Sequence, residues 1–220
     1  MKKIFATLAA IVFSTSAFAV DLSSLSGSVG LTGNYGLYGG DGKEENTNSS
    51  GVLERTTKKD GAAFVDGYAS IFAELNFNDN FAVGVDYVFG DVDTPKNINS
   101  GEGTDDTTDI EVEAVFEELT TIYALLKSDF GLYAKIGLST MHIDVTSKNA
   151  GTYKDPGDTD GEQYALGYEH EADNGVGIRA ELAYHEFDSV SANNGATDKN
   201  TITVTNMRGA TARLSLVKSF

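Results

Sequence analysis

Residues 210–220 read Ala-Thr-Ala-Arg-Leu-Ser-Leu-Val-Lys-Ser-Phe and close the sequence on an aromatic. Strand side chains alternate faces, so Ala210, Ala212, Leu214, Leu216 and Phe220 share one side and Thr211, Arg213, Ser215 and Ser219 the other. Water-soluble domains rarely finish on an amphipathic strand with a bare terminal aromatic. Such a strand needs a partner for its free edge, and pairing it with the first strand would close the sheet and leave no edge. Lys218 interrupts the oily row. At headgroup level its long stem can snorkel, at a cost of about 0–1 kcal/mol.

The opposite end reads as an export signal. Met1-Lys2-Lys3 is a short basic region, residues 4–13 are an apolar run too short to span a bilayer, and Ala17-Phe18-Ala19 is an A-x-A cleavage site. Residues 1–19 are expected to be a cleaved leader and residues 20–220 one domain. Losing Lys2 and Lys3 takes the 16 bases to 14 against 33 acids, so the net charge moves from −17 to −19. So acidic a chain is a poor partner for nucleic acid. With no cysteine, neither a disulfide nor thiol chemistry is available. Past the leader no stretch approaches 18 apolar residues, which excludes a membrane-spanning helix.

From Val20 onward the pattern has period two almost throughout. Eight strands are expected. The first alternates Val29, Leu31, Tyr35 and Leu37 with Ser28, Gly30, Thr32 and Asn34. The second, about 62–77, sets Ala63, Val65, Ile71 and Leu75 against Asp66, Tyr68, Ser70 and Glu74, with Phe64 and Phe72 anomalous on the polar side. The third carries Val83, Val85 and Tyr87 against Gly84 and Asp86. The fourth, about 110–127, changes phase at Glu117-Glu118, where a β-bulge would reconcile Ala114 and Phe116 with Leu119, Thr121, Tyr123 and Leu125. The fifth, sixth and seventh are built around Ala134-Ile136-Leu138, Tyr164-Leu166-Tyr168 and Ile178-Ala180-Leu182-Tyr184, and residues 210–220 are the eighth. Long polar segments (40–61, 92–109, 147–161, 189–200) alternate with short turns at Asn78-Asp79-Asn80, residues 128–131 and Asp173-Asn174-Gly175. Transmembrane barrels have this asymmetry, with short periplasmic turns, long external loops and an even strand number.

Period two alone does not say which face is inside, and a soluble lipocalin-like carrier would turn its apolar face inward. The apolar faces have nearly the length of membrane-spanning strands. Tyr35, Tyr87, Tyr123, Tyr164, Tyr168, Tyr184 and Phe220 lie toward the ends of those faces, as interfacial girdles do. The opposite face reads as small and charged, a poor lining for an apolar ligand. The fold expected is therefore all-β, an eight-stranded antiparallel up-and-down transmembrane β-barrel.

The leader, the alternating connections and the terminal Phe220 make the chain similar to the small bacterial outer-membrane β-barrel superfamily, the eight-stranded type related to the transmembrane domain of outer-membrane protein A. The resemblance implies a Gram-negative outer-membrane location after export. It implies contact with lipid and lipopolysaccharide, and delivery by periplasmic chaperones to the barrel-assembly machinery, with Leu214, Leu216 and Phe220 as the assembly signal. It also implies a monomer with a structural or surface role, a narrow porin-like channel being the alternative. Some barrels of this architecture are lipid-modifying acyltransferases or deacylases using His, Ser and an acid. Here His142, His170 and His185 lie on different strands with no nucleophile motif, so an enzyme is not expected, although His142 and His185 could approach the same rim near Ser139 and Glu186.

Function is expected to lie with the interior charges. Glu74, Asp86, Lys135, Arg179, Glu181 and Arg213 all stand about four to eight residues from the short-turn end, so at roughly 3.3 Å per residue they share a layer. An eight-stranded interior is filled by side chains, and buried charges there must pair. Arg213 should meet Glu181. The layer is either a static polar core or a gate that rearranges to pass small solutes. Asp155, Asp158 and Asp160 have a calcium-loop flavour but lack the twelve-residue pattern and its distal Glu. They read as a solvated turn, as do Asp105, Asp106 and Asp109. No cofactor is implied.

Overall fold

The computed structural model describes residues 25–94, 97–99, 110–148, 153–195 and 199–220, so the leader, the start at Val20 and the Asp105, Asp106 and Asp109 group lie outside the described residues. The described chain is one antiparallel sheet: β1 (Ser26–Thr47), β2 (Leu53–Asn78), β3 (Phe81–Phe89), β4 (Val92–Asp93), β5 (Asn97–Asn99), β6 (Ile110–Lys127), β7 (Leu132–Lys148), β8 (Gly157–Glu171), β9 (Val176–Phe187), β10 (Val190–Asn193) and β11 (Lys199–Ser219). Eight of these strands follow one another around a cylinder, and β1 closes it against β11. Pairing runs from Ser28 opposite Ser219 to Thr47 opposite Lys199, and the Phe220 amide donates to the Gly27 carbonyl at 2.9 Å. The short strands β4 and β5 add to β6, and β10 adds to β11, at the long-loop end.

The oily side of the strands faces outward. Leu166 and Leu182 are 69% exposed and Leu214 is 62% exposed, while Arg179, Glu181 and Arg213 on the alternate positions are buried. Tyr35, Tyr87, Tyr164, Tyr168, Tyr184 and Phe220 are exposed on the same outer side. The Lys218 ammonium donates to the Asn174 carbonyl at 2.7 Å beside the Phe220 ring, so its charge leaves the oily row.

The expected orientation of β6 needs correction. Tyr123 is not a girdle residue: it is buried inside, with Leu119, Thr121 and Leu125, while Leu126 is exposed outside. The bulge is where the sequence placed it, with the β6–β7 register slipping between Glu117 and Thr120 and Glu118 at φ 53°. Both faces of β6 alternate through apolar residues, Ile122, Ala124 and Leu126 on one and Leu119, Tyr123 and Leu125 on the other. Hydrophobicity therefore could not choose between them, and pairing with β3 and β7 does. Phe64 and Phe72 do face the interior, so the register of β2 follows its polar side.

Among the described residues, the long polar segments are in large part strand. β1 and β2 continue as a hairpin to Thr47 and Leu53, leaving 48–52 as its turn, where Asn48 Oδ1 accepts the amides of Ser50 and Val52, both at 3.0 Å. Lys148 and Gly157 bound the β7–β8 connection, and β10 lies inside the expected 189–200 loop. A ladder of backbone hydrogen bonds needs no oily face, so these extensions carried no alternation to read.

The extension bends at a belt of bulges. Asp41 Oδ1 accepts the Gly61 backbone amide at 2.8 Å and Oδ2 accepts the Asn206 side-chain Nδ2 at 2.7 Å, where Gly61 and Asn206 both have positive φ. The Asn206 bond, then the Gly61 bond, hold the Asp41 carboxyl below its usual range. Past Ala69 toward the long-loop end, β2 pairs only with β1 among the described residues. Lys58, Lys59, Asp60 and the bulge at Gly61 blunt that edge.

The outward face predicts a sharp cost for charge at its middle. Leu182→Arg should lower the unfolding free energy of the barrel refolded in lipid vesicles by about 2–4 kcal/mol, measured by denaturant titration. A loss under about 0.5 kcal/mol, the level of an ordinary surface substitution, would count against a lipid-facing Leu182.

Candidate functional site

All six predicted charges are buried and belong to one network. On β9, Arg179 donates Nη1 and Nη2 to the two oxygens of Glu74 (2.7 and 3.0 Å) and Nε to Glu169 (2.8 Å). On β11, Arg213 donates Nη1 to Glu181 at 3.0 Å, as expected from the adjacency of those strands, and Nη2 to Asp86. Lys135 Nζ donates to the same Glu181 oxygen at 2.7 Å.

Two tyrosines join the halves. Tyr123 donates to Glu74 at 2.8 Å while its ring lies 4.7 Å from Lys135 Nζ. Tyr133 donates to Glu181 at 2.8 Å while its ring lies 5.1 Å from the Arg179 guanidinium, which also covers Phe72 at 4.8 Å. These rings fit because the wall behind them is glycine. A Cβ on Gly84 would meet the Tyr123 ring at 2.6 Å, and one on Gly167 the Tyr133 ring at 2.3 Å.

The layer is larger than expected. Glu169 joins it through Arg179, and Lys127 Nζ reaches Glu169 at 2.9 Å. Arg179, Arg213, Lys135 and Lys127 then balance Glu74, Glu169, Glu181 and Asp86. Glu169 shares interior parity with Gln163 and Gly167 and was legible in principle. Lys127 was hidden by the phase of β6, which turns its odd positions inward.

Above this plug, toward the long-loop end, the interior is oily. Val88, Leu119, Met141, Ile143, Phe187 and Met207 form a buried cluster packed by Tyr68, Ala114 and Phe116. A cavity of about 480 Å³ opens among Phe64, Phe116, Met141, Ile143, Phe187 and Met207, with Tyr38 in its wall. This overturns the reading of the interior as a poor lining for an apolar ligand. The bulge of β6 and the closing register bring inward a ring of large side chains from five strands. Below the plug is a second cavity, about 580 Å³, lined by Ser26, Ser28, Asn76, Glu171 and Ser219 with Glu74, Glu169 and Arg179 in its roof.

The histidines do not converge. His185 faces inward, with Nε2 at 2.9 Å from Thr211 Oγ1, whereas His142 lies on the opposite face of the wall. Asp155 and Asp158 clamp His142, each 3.0 Å from one ring nitrogen, and Asp160 accepts from Thr140 at 2.6 Å. Among the described residues no group of three or more His, Cys, Asp or Glu is arranged to hold a metal ion.

The sequence pattern described as outer membrane protein beta-barrel domain matches residues 5–207. No curated protein matches the chain. Among solved structures, the outer membrane protein OprG from Pseudomonas aeruginosa is similar with a TM-score of 0.61 and 12% identity, over 89% of this chain and 96% of that one. Ail, the attachment invasion locus protein of Yersinia pestis, is similar at 0.39 and 11%, over 86% and 99%. Neisserial surface protein A is similar at 0.39 and 14%, over 84% and 97%.

The Asp158 hydrogen bond, and with less weight Asp155, raises the His142 pKa above the usual histidine value. A raised folded pKa means that the clamp contributes fully below the unfolded value and is lost as pH rises through the folded one. The His142 ring proton shifts should therefore titrate with a midpoint above about 6.5, and Asp158→Asn should lower it more than Asp155→Asn. A wild-type midpoint at or below that value would contradict the clamp.

Proposed function

The chain belongs to the outer membrane protein beta-barrel domain family, and on that premise we propose that it is a bacterial outer-membrane barrel that takes small apolar solutes from the outer side into its interior vestibule. One observation carries the reading: a 480 Å³ oily cavity sits at the long-loop end directly above a charge-balanced plug. Pockets of 300–1,000 Å³ suit small molecules. An eight-stranded barrel that served only as a surface anchor would fill this space with side chains, as it fills the middle. The closing strand presents Leu214, Leu216 and Phe220 outward, where an assembly machinery could read them as its signal.

A second reading is the narrow channel. Two cavities facing each other across one layer of ion pairs favour it. In that reading Arg213, held by Asp86 and Glu181, is the group whose rearrangement would join them.

Two measurements test these readings. Met141 and Met207 both line the cavity, and their methyl groups serve as the probes. In the refolded full chain in lipid nanodiscs, both ¹³C-methyl resonances should shift and saturate with n-octane, and unmoved resonances at saturating alkane would dismiss the vestibule as a binding site. In planar bilayers the wild type should be nearly silent. Arg213→Ala leaves Asp86 and Glu181 without their guanidinium, should destabilise the fold by about 3–5 kcal/mol, and should raise conductance. Equal traces for the two proteins would remove the channel.

A further inference from the structure

The vestibule is oily, but the layer immediately beneath it is not. Inward positions on neighbouring strands fall in rows fixed by register. Phe187 pairs with Met207 and with Gly161 at the level of the cavity. One inward step below, His185 pairs with Gly209 on one side and Gln163 on the other. The His185 ring is stacked on Phe187 at 6.1 Å and lies 6.2 Å from the ring of Tyr38, and both of those rings line the cavity.

His185 and Gln163 are each 2% exposed. The Nε2 of His185 is used by Thr211, but its Nδ1 has no hydrogen-bond partner, and neither does Oε1 of Gln163. Three other such atoms lie elsewhere, Arg213 Nε in the plug and Asn46 Oδ1 and Asn200 Oδ1 on paired positions of the β1–β11 extension. Leaving a buried polar atom unpaired costs on the order of 1–3 kcal/mol. Two on adjacent strands at the same level, behind the Tyr38 and Phe187 rings that line the cavity, mark a place prepared for a polar group. In the tautomer whose Nε2 accepts from the Thr211 hydroxyl, Nδ1 carries the proton. In that tautomer the paired positions 163 and 185 offer one acceptor and one donor, which is the complement of an alcohol hydroxyl. A carboxylate would meet the Gln163 oxygen as a second acceptor, and an alkane would leave both atoms bare.

We propose that Gln163 and His185 form a hydrogen-bonding subsite that receives the hydroxyl of a small aliphatic alcohol whose apolar body fills the vestibule above. The assignment deepens the proposed function and rests on it. The vestibule supplies affinity by burying the chain, and the subsite supplies preference by satisfying two stranded atoms.

The probes are 1-octanol and n-octane, titrated separately into the refolded full chain in nanodiscs and read at the Met141 and Met207 methyl resonances. Gln163→Leu should weaken octanol about tenfold, the worth of one hydrogen bond, while leaving octane unchanged or slightly tighter. His185→Phe preserves the stack on Phe187 and should repeat the pattern if Gln163→Leu fails to refold. An equal loss for both probes would show that the variant disturbs only packing, and that overturns the subsite. Octanol binding unaffected by either variant would mean that water, not the ligand, serves the two atoms, and that also overturns it. In both of these outcomes octane still binds, so the vestibule stands. Failure of both probes to move the wild-type resonances removes the vestibule and the subsite together.

Discussion

In hydrocarbon every backbone N–H and C=O must find its partner within the protein, because no water is present to take its place. That constraint is met here by the ladder between β1 and β11, which turns a sheet with two edges into a cylinder with none. Closure fixes the sorting of side chains. Leu31, Leu166, Leu182 and Leu214 go to lipid, and whatever stands between them must be accommodated in a lumen only a few side chains wide.

The lumen solves this in two different ways along its length. In the middle, four cations and four carboxylates neutralise one another, with tyrosine hydroxyls occupying carboxylate lone pairs and aromatic faces covering the cations. A buried ion pair repays its desolvation only with such complete hydrogen bonding. Glycines at 84 and 167 let the rings lie flat against the wall. Nearer the long-loop end the lumen is filled from several strands by Val88, Leu119, Met141, Ile143, Phe187 and Met207, and those side chains do not meet completely. The change from plug to vestibule falls at Tyr38, Tyr68, His185 and Gln163, and on the proposed function that boundary is where solute entering the one meets the other.

Much of this was legible in the sequence where one face of a strand was oily and the other was not. On β9 the alternation of Ile178, Ala180 and Leu182 with Arg179, Glu181 and Ala183 left one register possible, and the pairing of Arg213 with Glu181 followed from strand order. It was not legible where both faces were oily, as on β6, or where both were polar, as in the continuation of β1 and β2 past Gly40. Glu169 was available by parity, whereas Lys127 and Tyr123 were lost with the phase of β6.

The sequence by itself determined eight amphipathic strands with alternating long and short connections, because both patterns are local properties, and the length and aromatic ends of the oily faces turned the charged side inward. Only the tertiary structure decided which side of β6 faces the lumen, and therefore that an oily vestibule stands above the plug. The reason is physical. An oily residue is equally content against lipid or against other oily residues across the barrel. Its choice is made by hydrogen-bond register with β3 and β7, which no side chain on β6 encodes alone.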